Sequence, residues 1–441
     1  MEMAMAQARE SIRAGQIGCG TVGSGVVRIL RDNAAEIKTR TGCAVTLEKI
    51  AVRDLADPRY VEVPGEMLTT DALNMIREPG LDIIIEVMGG IEPARTFILE
   101  AISRGKHVVT ANKELMSSHG AEILAAACDR GVDVAFEASV GGGIPILLPL
   151  KNSLAGNVIS QILGIVNGTT NYVLTRMAEE GLSFSQALEK AQALGYAEPD
   201  PSNDVEGKDA AAKLAILASI AFNTRVTLSD VYAEGIKAVT AHDISFARDL
   251  GYVIKLLAVA KNDADGISVR VHPTMIPESH PLASVRDENN AIFVTGDAVG
   301  ELMFYGKGAG SLPAASAVVG DVIGIGRNML TGGRMVGCTC FYDKRIKDMK
   351  EVVSRYFMIF EVPDRAGVLA RIAGVFGENQ VSIKSVIQDG MGRDARIVLI
   401  THPVKEASIR ATVQGLEKLE EVNRIASLIR VEDTAAEAEN E

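Results

Sequence analysis

Through the first 140 residues, short apolar runs alternate with stretches in which apolar residues return with a helical period. Residues 12–18 predict a strand, and Ser24 to about Thr39 predicts one helix. AVTLEKIAV at 44–52 predicts a second strand. LDIIIEV at 81–87 is apolar almost throughout, as a strand buried on both faces requires. A helix is expected over 93–105, closed by Gly105, then a strand at HVVT, 107–110. A helix follows to Gly131, and VDVAFEA at 132–138 predicts another strand. Strand and helix in alternation predict an α/β domain built on a doubly wound parallel sheet, over 11–149.

The pattern changes near Pro149. VISQILGIV predicts a strand, and helices are expected at 169–181, 184–194 and 207–222. VRVHPTMI and AIFVTGDAV are strand-like. Residues 150–310 are therefore expected to form an α+β substrate and dimerisation domain. After the turn Gly306-Lys307-Gly308-Ala309-Gly310, a small-residue helix is expected to return to the first domain over about 311–338. Residues 339–354 are rich in Lys, Arg, Asp and Glu and read as a solvated linker. Residues 355–430 give the order βαββαβ, a ferredoxin-like arrangement. The tail 431–441, VEDTAAEAENE, has five acids and no base, so disorder is expected.

Composition narrows the class. A chain of 441 residues that is 47% hydrophobic can hold about three domains with large cores. A net charge of −12 argues against a general nucleic-acid binder. No apolar run is long enough to span a membrane, and MEMAMAQARESIR lacks the apolar core of a secretory signal. The five cysteines are scattered and odd in number, so a reduced, cytoplasmic setting is expected. Cys338 and Cys340, with no second pair nearby, read as structural or incidental. The six histidines show no metal-ligand spacing, so no transition-metal site is expected.

The candidate chemistry begins at Gly18-Cys19-Gly20-Thr21-Val22-Gly23, a GxGxxG between a strand and a helix. Gly18 suits the tight turn, Gly20 admits a pyrophosphate to the backbone, and Gly23 lets helix and strand pack. The alternative is a chance glycine-rich turn; the strand–helix–strand context favours dinucleotide binding. The end of the second strand reads Val52-Arg53-Asp54, where an acid would mark NAD. Arg53 either pairs with a 2′-phosphate or stacks on adenine, so the reading leans to NADP with NAD tolerated. Farther on, GYAEPDPSNDVEGKDAAAK (195–213) crowds Glu198, Asp200, Asp204, Glu206 and Asp209 together. Asp209 and Lys213 share one face of a predicted helix. This suits a small amino-bearing substrate; the competing reading is a solvated acidic loop.

The order GxGxxG, TANK (110–113), EASVGGGIPI (137–146), NGTTNYVL (167–174), GYAEPDPSNDVEGKDAAAK and GKGAG closely resembles homoserine dehydrogenase over about residues 12–330. EVPDRAGVLARIAGVF resembles the ACT domain, a small-molecule regulatory module. The resemblance implies a Rossmann-like first domain and NAD(P)-linked interconversion of L-homoserine and L-aspartate 4-semialdehyde. It carries proton donation to Lys213, a place beside nicotinamide and substrate to Lys113, and substrate binding to Glu198, Asp209 and, less specifically, Asp204. Cofactor contacts carry over to Gly18, Gly20, Thr21, Val22, Gly23, Arg53, Lys113, Gly195 and Gly308. A monovalent cation, expected to be sodium, would be held by the Glu137 side chain and the carbonyls of Val140, Gly142 and Ile144. The alternatives are a surface lysine for Lys113 and a helix-capping turn for the Glu137 loop. Threonine is the expected effector, at Asp364, Gly367 and Val368, in at least a homodimer; a capped helix start without ligand is the alternative. A fused kinase is not expected, since only ten residues precede Ser11.

Overall fold

Six parallel strands build the first layer: β1 (Ser11–Ile17), β2 (Ala44–Ala51), β3 (Leu68–Thr69), β4 (Ile83–Glu86), β5 (His107–Thr110) and β6 (Val134–Ala135). Their order is β3-β2-β1-β4-β5-β6, the doubly wound arrangement. The computed structural model describes residues 10–390 and 395–432. The helices between the strands are α1 (Thr21–Asp32), α2 (Ala34–Thr41), α3 (Ala72–Arg77), α4 (Ala94–Ser103) and α5 (Lys113–Arg130), with α6 (Leu147–Lys151) after β6. The single helix expected to run to Thr39 is two, because Asn33 leaves helical geometry at φ −108°, ψ 18°. The strand expected over 132–138 stops at Ala135, and Glu137–Ser139 is a 3-10 turn.

The chain continues through β7 (Ile159–Ile165), α7 (Gly168–Glu180), α8 (Phe184–Ala193), α9 (Ser202–Val205) and α10 (Lys208–Ala221). Next come β8 (Tyr232–Ala233), α11 (Ala241–Asp249), β9 (Tyr252–Asp263), β10 (Gly266–Pro277), β11 (Asn289–Gly296), β12 (Gly300–Lys307) and α12 (Ser311–Thr331). The C-terminal module is β13 (Val353–Val362), α13 (Val368–Glu378), β14 (Ile383–Asp389), β15 (Ala395–Thr401), β16 (Val404–Lys405), α14 (Glu406–Leu416) and β17 (Arg424–Val431). Contacts divide the chain into two compact units. Among the described residues, one comprises 10–160, 212–230 and 290–343; the other comprises 161–211, 231–289, 344–390 and 395–432.

In the first unit, α12 packs against the parallel sheet and α1. Val318, Val319, Val322 and Ile325 join Val26 and Leu30 of α1 and Ile12, Ile83 and Val109 of the strands in one core. The helices cross where α1 carries Gly25; a Cβ there would lie 2.6 Å from the Ser311 carbonyl oxygen. In the second unit the sheet order is β7-β9-β10-β17-β13-β15-β14. The C-terminal module thus shares a sheet with the preceding α+β segment. β17 pairs in parallel with β10 at Thr274–Arg430 and Met275–Val431. The module has its own core around Phe360 and Phe376, whose rings meet edge to face at 6.3 Å.

Charged groups reinforce this junction. The Arg430 guanidinium donates to Glu234 at 2.7 Å and to Glu406 at 2.8 and 3.1 Å. Burial favours the neutral acid at Glu406, yet Arg430 holds it below the usual carboxylate range. Glu432 is buried, with Arg270 and Lys261 each 2.5 Å away. Val431 and Glu432 therefore belong to the fold, correcting their place in an acidic disordered tail; residues 433–441 lie outside the described residues. The segment 339–354 is also tied down. Arg345 accepts from the Ile267 N–H, Lys347 donates its N–H to the Ile267 carbonyl, and its ammonium binds Asp263. Among the described residues, no helix is long and apolar enough to cross a membrane.

Candidate active site

At the end of β1 the chain turns at Gly18, φ +97°, a region glycine enters without a Cβ clash. A Cβ on Gly23 would lie 2.4 Å from the Gly18 carbonyl oxygen, whereas one on Gly20 would meet nothing within 4 Å. Packing thus fixes Gly18 and Gly23, and Gly20 leaves room for a ligand. Buried Gln16 closes the turn, donating to Gly18 O at 2.8 Å and Gly23 O at 3.2 Å. Thr21 and Val22 open α1, whose N-cap Gly20 supplies no side-chain acceptor. Such a helix start favours an anion.

A cavity of about 570 Å³ lies before this turn, with Gly18, Gly20, Val52, Arg53, Arg59 and Met88 in its wall. Its size and its glycine turn fit part of a dinucleotide. Arg53 extends into solvent, 3.8 Å from Asp57. Arg59, which the sequence reading missed, donates to the carbonyls of Asp54 and Leu55 at 3.0 and 3.1 Å. Its buried Nε has no protein partner. Arg59 lies in irregular chain beyond β2, where no periodicity draws notice to it.

The TANK segment is held from beneath by Glu86, buried at the end of β4. One carboxylate oxygen accepts the Thr110 hydroxyl at 2.6 Å; the other accepts the N–H groups of Met88 and Gly89 at 2.9 and 3.2 Å. Asn112 caps α5 by accepting the Leu115 N–H at 3.1 Å, and donates to Gly90 O at 2.6 Å. Lys113 is the first residue of α5 and is half-buried. Glu86 was not marked in sequence because it ends an apolar run.

The Glu137 carboxylate accepts three backbone N–H bonds, from Ile146 (2.5 Å), Leu147 (2.8 Å) and Leu148 (2.7 Å). A carboxylate has about four lone-pair directions, so the side chain is largely spent capping α6. This does not fit the expected sodium ligation by that side chain, and the helix-capping alternative describes Glu137. Gly141 and Gly142 have φ +71° and +55°, placing the carbonyls of Val140, Gly142 and Ile144 in a tight turn. A Cβ on Gly142 would lie 2.4 Å from Gly308 O, so Gly308 lies against this loop. Asp321 of α12 accepts the Glu137 N–H at 2.9 Å; burial pushes its acid up to about 8.

In the second unit the NGTTNY segment organises the acids. Asn167 caps α7, accepting the Thr170 N–H at 2.9 Å. Its amide donates to Asp204 at 2.6 Å and to Asp209 at 2.9 Å. Thr169 donates to Asp204 at 3.0 Å and lies 2.6 Å from Tyr196 O. The rings of Tyr172 and Tyr196 sit 5.0 Å apart. Asp209 is buried, Asp204 half-buried and Glu198 exposed. Gln192 steadies the loop by donating to Glu198 O and Pro199 O at 3.1 and 3.3 Å. Gly195, φ +75°, ends the turn after α8. The other two acids serve local structure: Asp200 accepts the Ser202 N–H, while Lys208 and Lys237 hold Glu206 down to about 2.

Helix α10 carries Asp209 in its first turn and Lys213 one turn later, with Lys213 only 9% exposed. In the C-terminal module, Gly367 has φ +95° and precedes α13, which Val368 opens. Asp364 accepts from Gln388 at 3.2 Å.

The parallel sheet, glycine turn and cavity define a dinucleotide-dependent oxidoreductase fold, with a βαββαβ module at its C-terminus. Family models match in the same order: the homoserine dehydrogenase NAD-binding domain at 18–137, homoserine dehydrogenase at 145–323, and the ACT domain at 356–421. The chain is similar to the homoserine dehydrogenase of Corynebacterium glutamicum, 47% identical and covering 94% of each chain. It is 44% identical to that of Bacillus subtilis, covering 96% of this chain and 99% of the other. The crystal structure of a homoserine dehydrogenase from Thiobacillus denitrificans superposes with a TM-score of 0.92 at 41% identity, covering 96% and 98% of the two chains. The chain belongs to the homoserine dehydrogenase family.

Proposed function

We propose that the chain reduces L-aspartate 4-semialdehyde to L-homoserine, and the reverse, with NADP preferred and NAD tolerated. The observation that carries this reading is the Asn167-centred cluster beside α10, which pairs a buried acid, Asp209, with a buried lysine one turn on. NADPH, when bound, supplies the hydride. Charge growing on the aldehyde oxygen then calls for an acid, and the Lys213 ammonium donates the proton. In the reverse direction neutral Lys213 takes the hydroxyl proton. Asp209, Asp204 and Glu198 are assigned to the substrate ammonium, and Lys113 to the nicotinamide end of the substrate. A sodium ion is not required by this chemistry.

The cofactor assignment rests on Arg53 and Arg59 in the wall of the cavity beside the glycine turn. Arg53→Ala is expected to weaken NADP use about ten-fold, with a much smaller loss for NAD, because only NADP carries the 2′-phosphate. Initial rates with both cofactors check this. Equal losses would assign Arg53 to adenine stacking.

Threonine is proposed as effector at Asp364, Gly367 and Val368, in a cytoplasmic homo-oligomer joined through the C-terminal modules. Supporting this, β14 exposes Val386 and Ile387 at the end of its sheet. The N–H groups that open α13 suit a carboxylate. Turnover of homoserine with NADP or NAD, with and without millimolar threonine, tests activity and regulation in one experiment. Gly367→Asp is expected to leave an active dehydrogenase that no longer responds to threonine. Activity indifferent to threonine in the parent chain would remove the effector assignment and leave the catalytic one standing.

A further inference from the structure

Cys338 and Cys340 lie beside a cavity of about 60 Å³ in the first unit, away from the glycine turn. Cys338 is exposed and Cys340 half-buried. The Arg225 guanidinium lies 3.5 Å from the Cys338 sulfur. Lys151 sits behind it, donating to Val336 O and Gly337 O at 3.4 and 3.1 Å, its ammonium 4.8 Å from the centre of the Phe136 ring. Cys340, two residues on, lines the same cavity. The Cys338 sulfur thus has a guanidinium within hydrogen-bonding reach. This favours a thiolate and disfavours a bound metal cation. The pair is asymmetric: neighbouring Cys340 and the Arg225 charge push the Cys338 thiol down, while neighbouring Cys338 and burial raise Cys340. An exposed thiolate with a second thiol two residues away on the same cavity has the layout of a nucleophile and its resolving partner.

We propose that Cys338 and Cys340 form a modification site for hydroperoxides, with Cys338 as the attacking sulfur and Cys340 as the resolving one. The Cys338 thiolate attacks the terminal peroxide oxygen. An S–O bond forms, the O–O bond breaks, and the departing alkoxide or hydroxide takes a proton from solvent. The sulfenic acid at Cys338 is then attacked by the Cys340 sulfur. An S–S bond forms, the S–O bond breaks, and the hydroxyl leaves with the Cys340 proton as water. Two thiols lose two electrons; the hydroperoxide is reduced to an alcohol (water, for hydrogen peroxide) and one further water. The Cys340 thiol reaches the Ser219 carbonyl of α10 at 4.0 Å, so the disulfide forms against the helix that carries Lys213.

Competition within the intact chain tests the site, with exposed Cys128 as internal reference. At pH 6 an ordinary thiol is almost wholly protonated, whereas a sulfur paired with a guanidinium keeps a large thiolate fraction. Lower basicity gives back part of that advantage, leaving about ten-fold. Iodoacetamide at pH 6 should therefore label Cys338 about ten times faster than Cys128, by peptide mass mapping. Stoichiometric hydrogen peroxide should yield a 338–340 disulfide peptide, and Cys340→Ser should trap Cys338 as a dimedone-reactive sulfenic acid. Arg225→Ala should reduce the labelling advantage several-fold, read on the same peptides. Labelling of Cys338 no faster than Cys128 in the parent chain overturns the proposal. So does oxidation of Cys338 without a bond to Cys340. Both readouts use the parent chain and hold even if a variant fails to fold.

Discussion

Lys213→Ala lowers turnover about 10²–10⁴-fold in both directions while NADPH affinity stays within about two-fold. The size follows from what a positioned acid supplies when negative charge grows on a carbonyl oxygen. The substitution suits its surroundings. Lys213 lies in the interior of α10 after Ala210, Ala211 and Ala212, all buried, and alanine is the best helix former. The helix should persist, so a melting curve close to the parent's accompanies the loss. Single-turnover rates with saturating semialdehyde separate the proton step from binding. A variant keeping more than about half of parental turnover would take Lys213 out of the mechanism.

The fold was legible wherever a segment was long enough to show a period. HVVT at 107–110 is β5, and the six predicted elements of the C-terminal module appear in order, with the two-residue β16 added between β15 and α14. What escaped was short or non-local. The two residues of β3 and the six of α3 are too brief for a hydrophobic repeat. Asn33 breaks a run whose apolar spacing continues through it. The pairing of β17 with β10 joins residues more than 150 positions apart, and nothing in either strand names its partner. Glu432 looked like one more acid of a solvated tail, yet Arg270 and Lys261 draw it into the sheet junction.

The candidate site shows the same division. Asp209 and Lys213 were visible because helical spacing sets them one turn apart. Glycines Gly18, Gly20 and Gly23 were visible because backbone geometry demands their residue type. Arg59 and Glu86 were not, since no periodic pattern marks them: Arg59 bonds carbonyls four and five residues back in irregular chain, and Glu86 bonds the turn that follows it and the Thr110 hydroxyl of the next strand. Asn167 stood inside a motif already noticed, but its grip on two separate carboxylates appears only in three dimensions. The structure also ranks the acids, as the linear run could not: Asp209 is buried and held, Glu198 exposed, and Asp200 and Glu206 are engaged in local contacts.

That ranking leads to the second large effect. Asp209→Asn should raise KM for homoserine and for the semialdehyde by roughly 5–150-fold, equivalent to about 1–3 kcal/mol, with NADPH affinity unchanged. The carboxylate accepts the Asn167 amide at 2.9 Å, and only 3% of the residue is exposed. An amide in its place brings an N–H₂ group toward another N–H₂ group, or flips and offers its donors where the substrate ammonium should lie. Either way a buried polar group is mismatched and a negative charge is lost. Glu198→Gln should show a smaller KM rise, because water already screens that side chain. Asp200→Asn, altering a surface turn, should leave both constants near parental values. Saturation curves for the three variants, with isothermal titration of NADPH, separate the possibilities. Equal, small effects at all three positions would return the run to a solvated acidic loop. A graded series, largest at Asp209, assigns substrate handling to the buried end of the cluster.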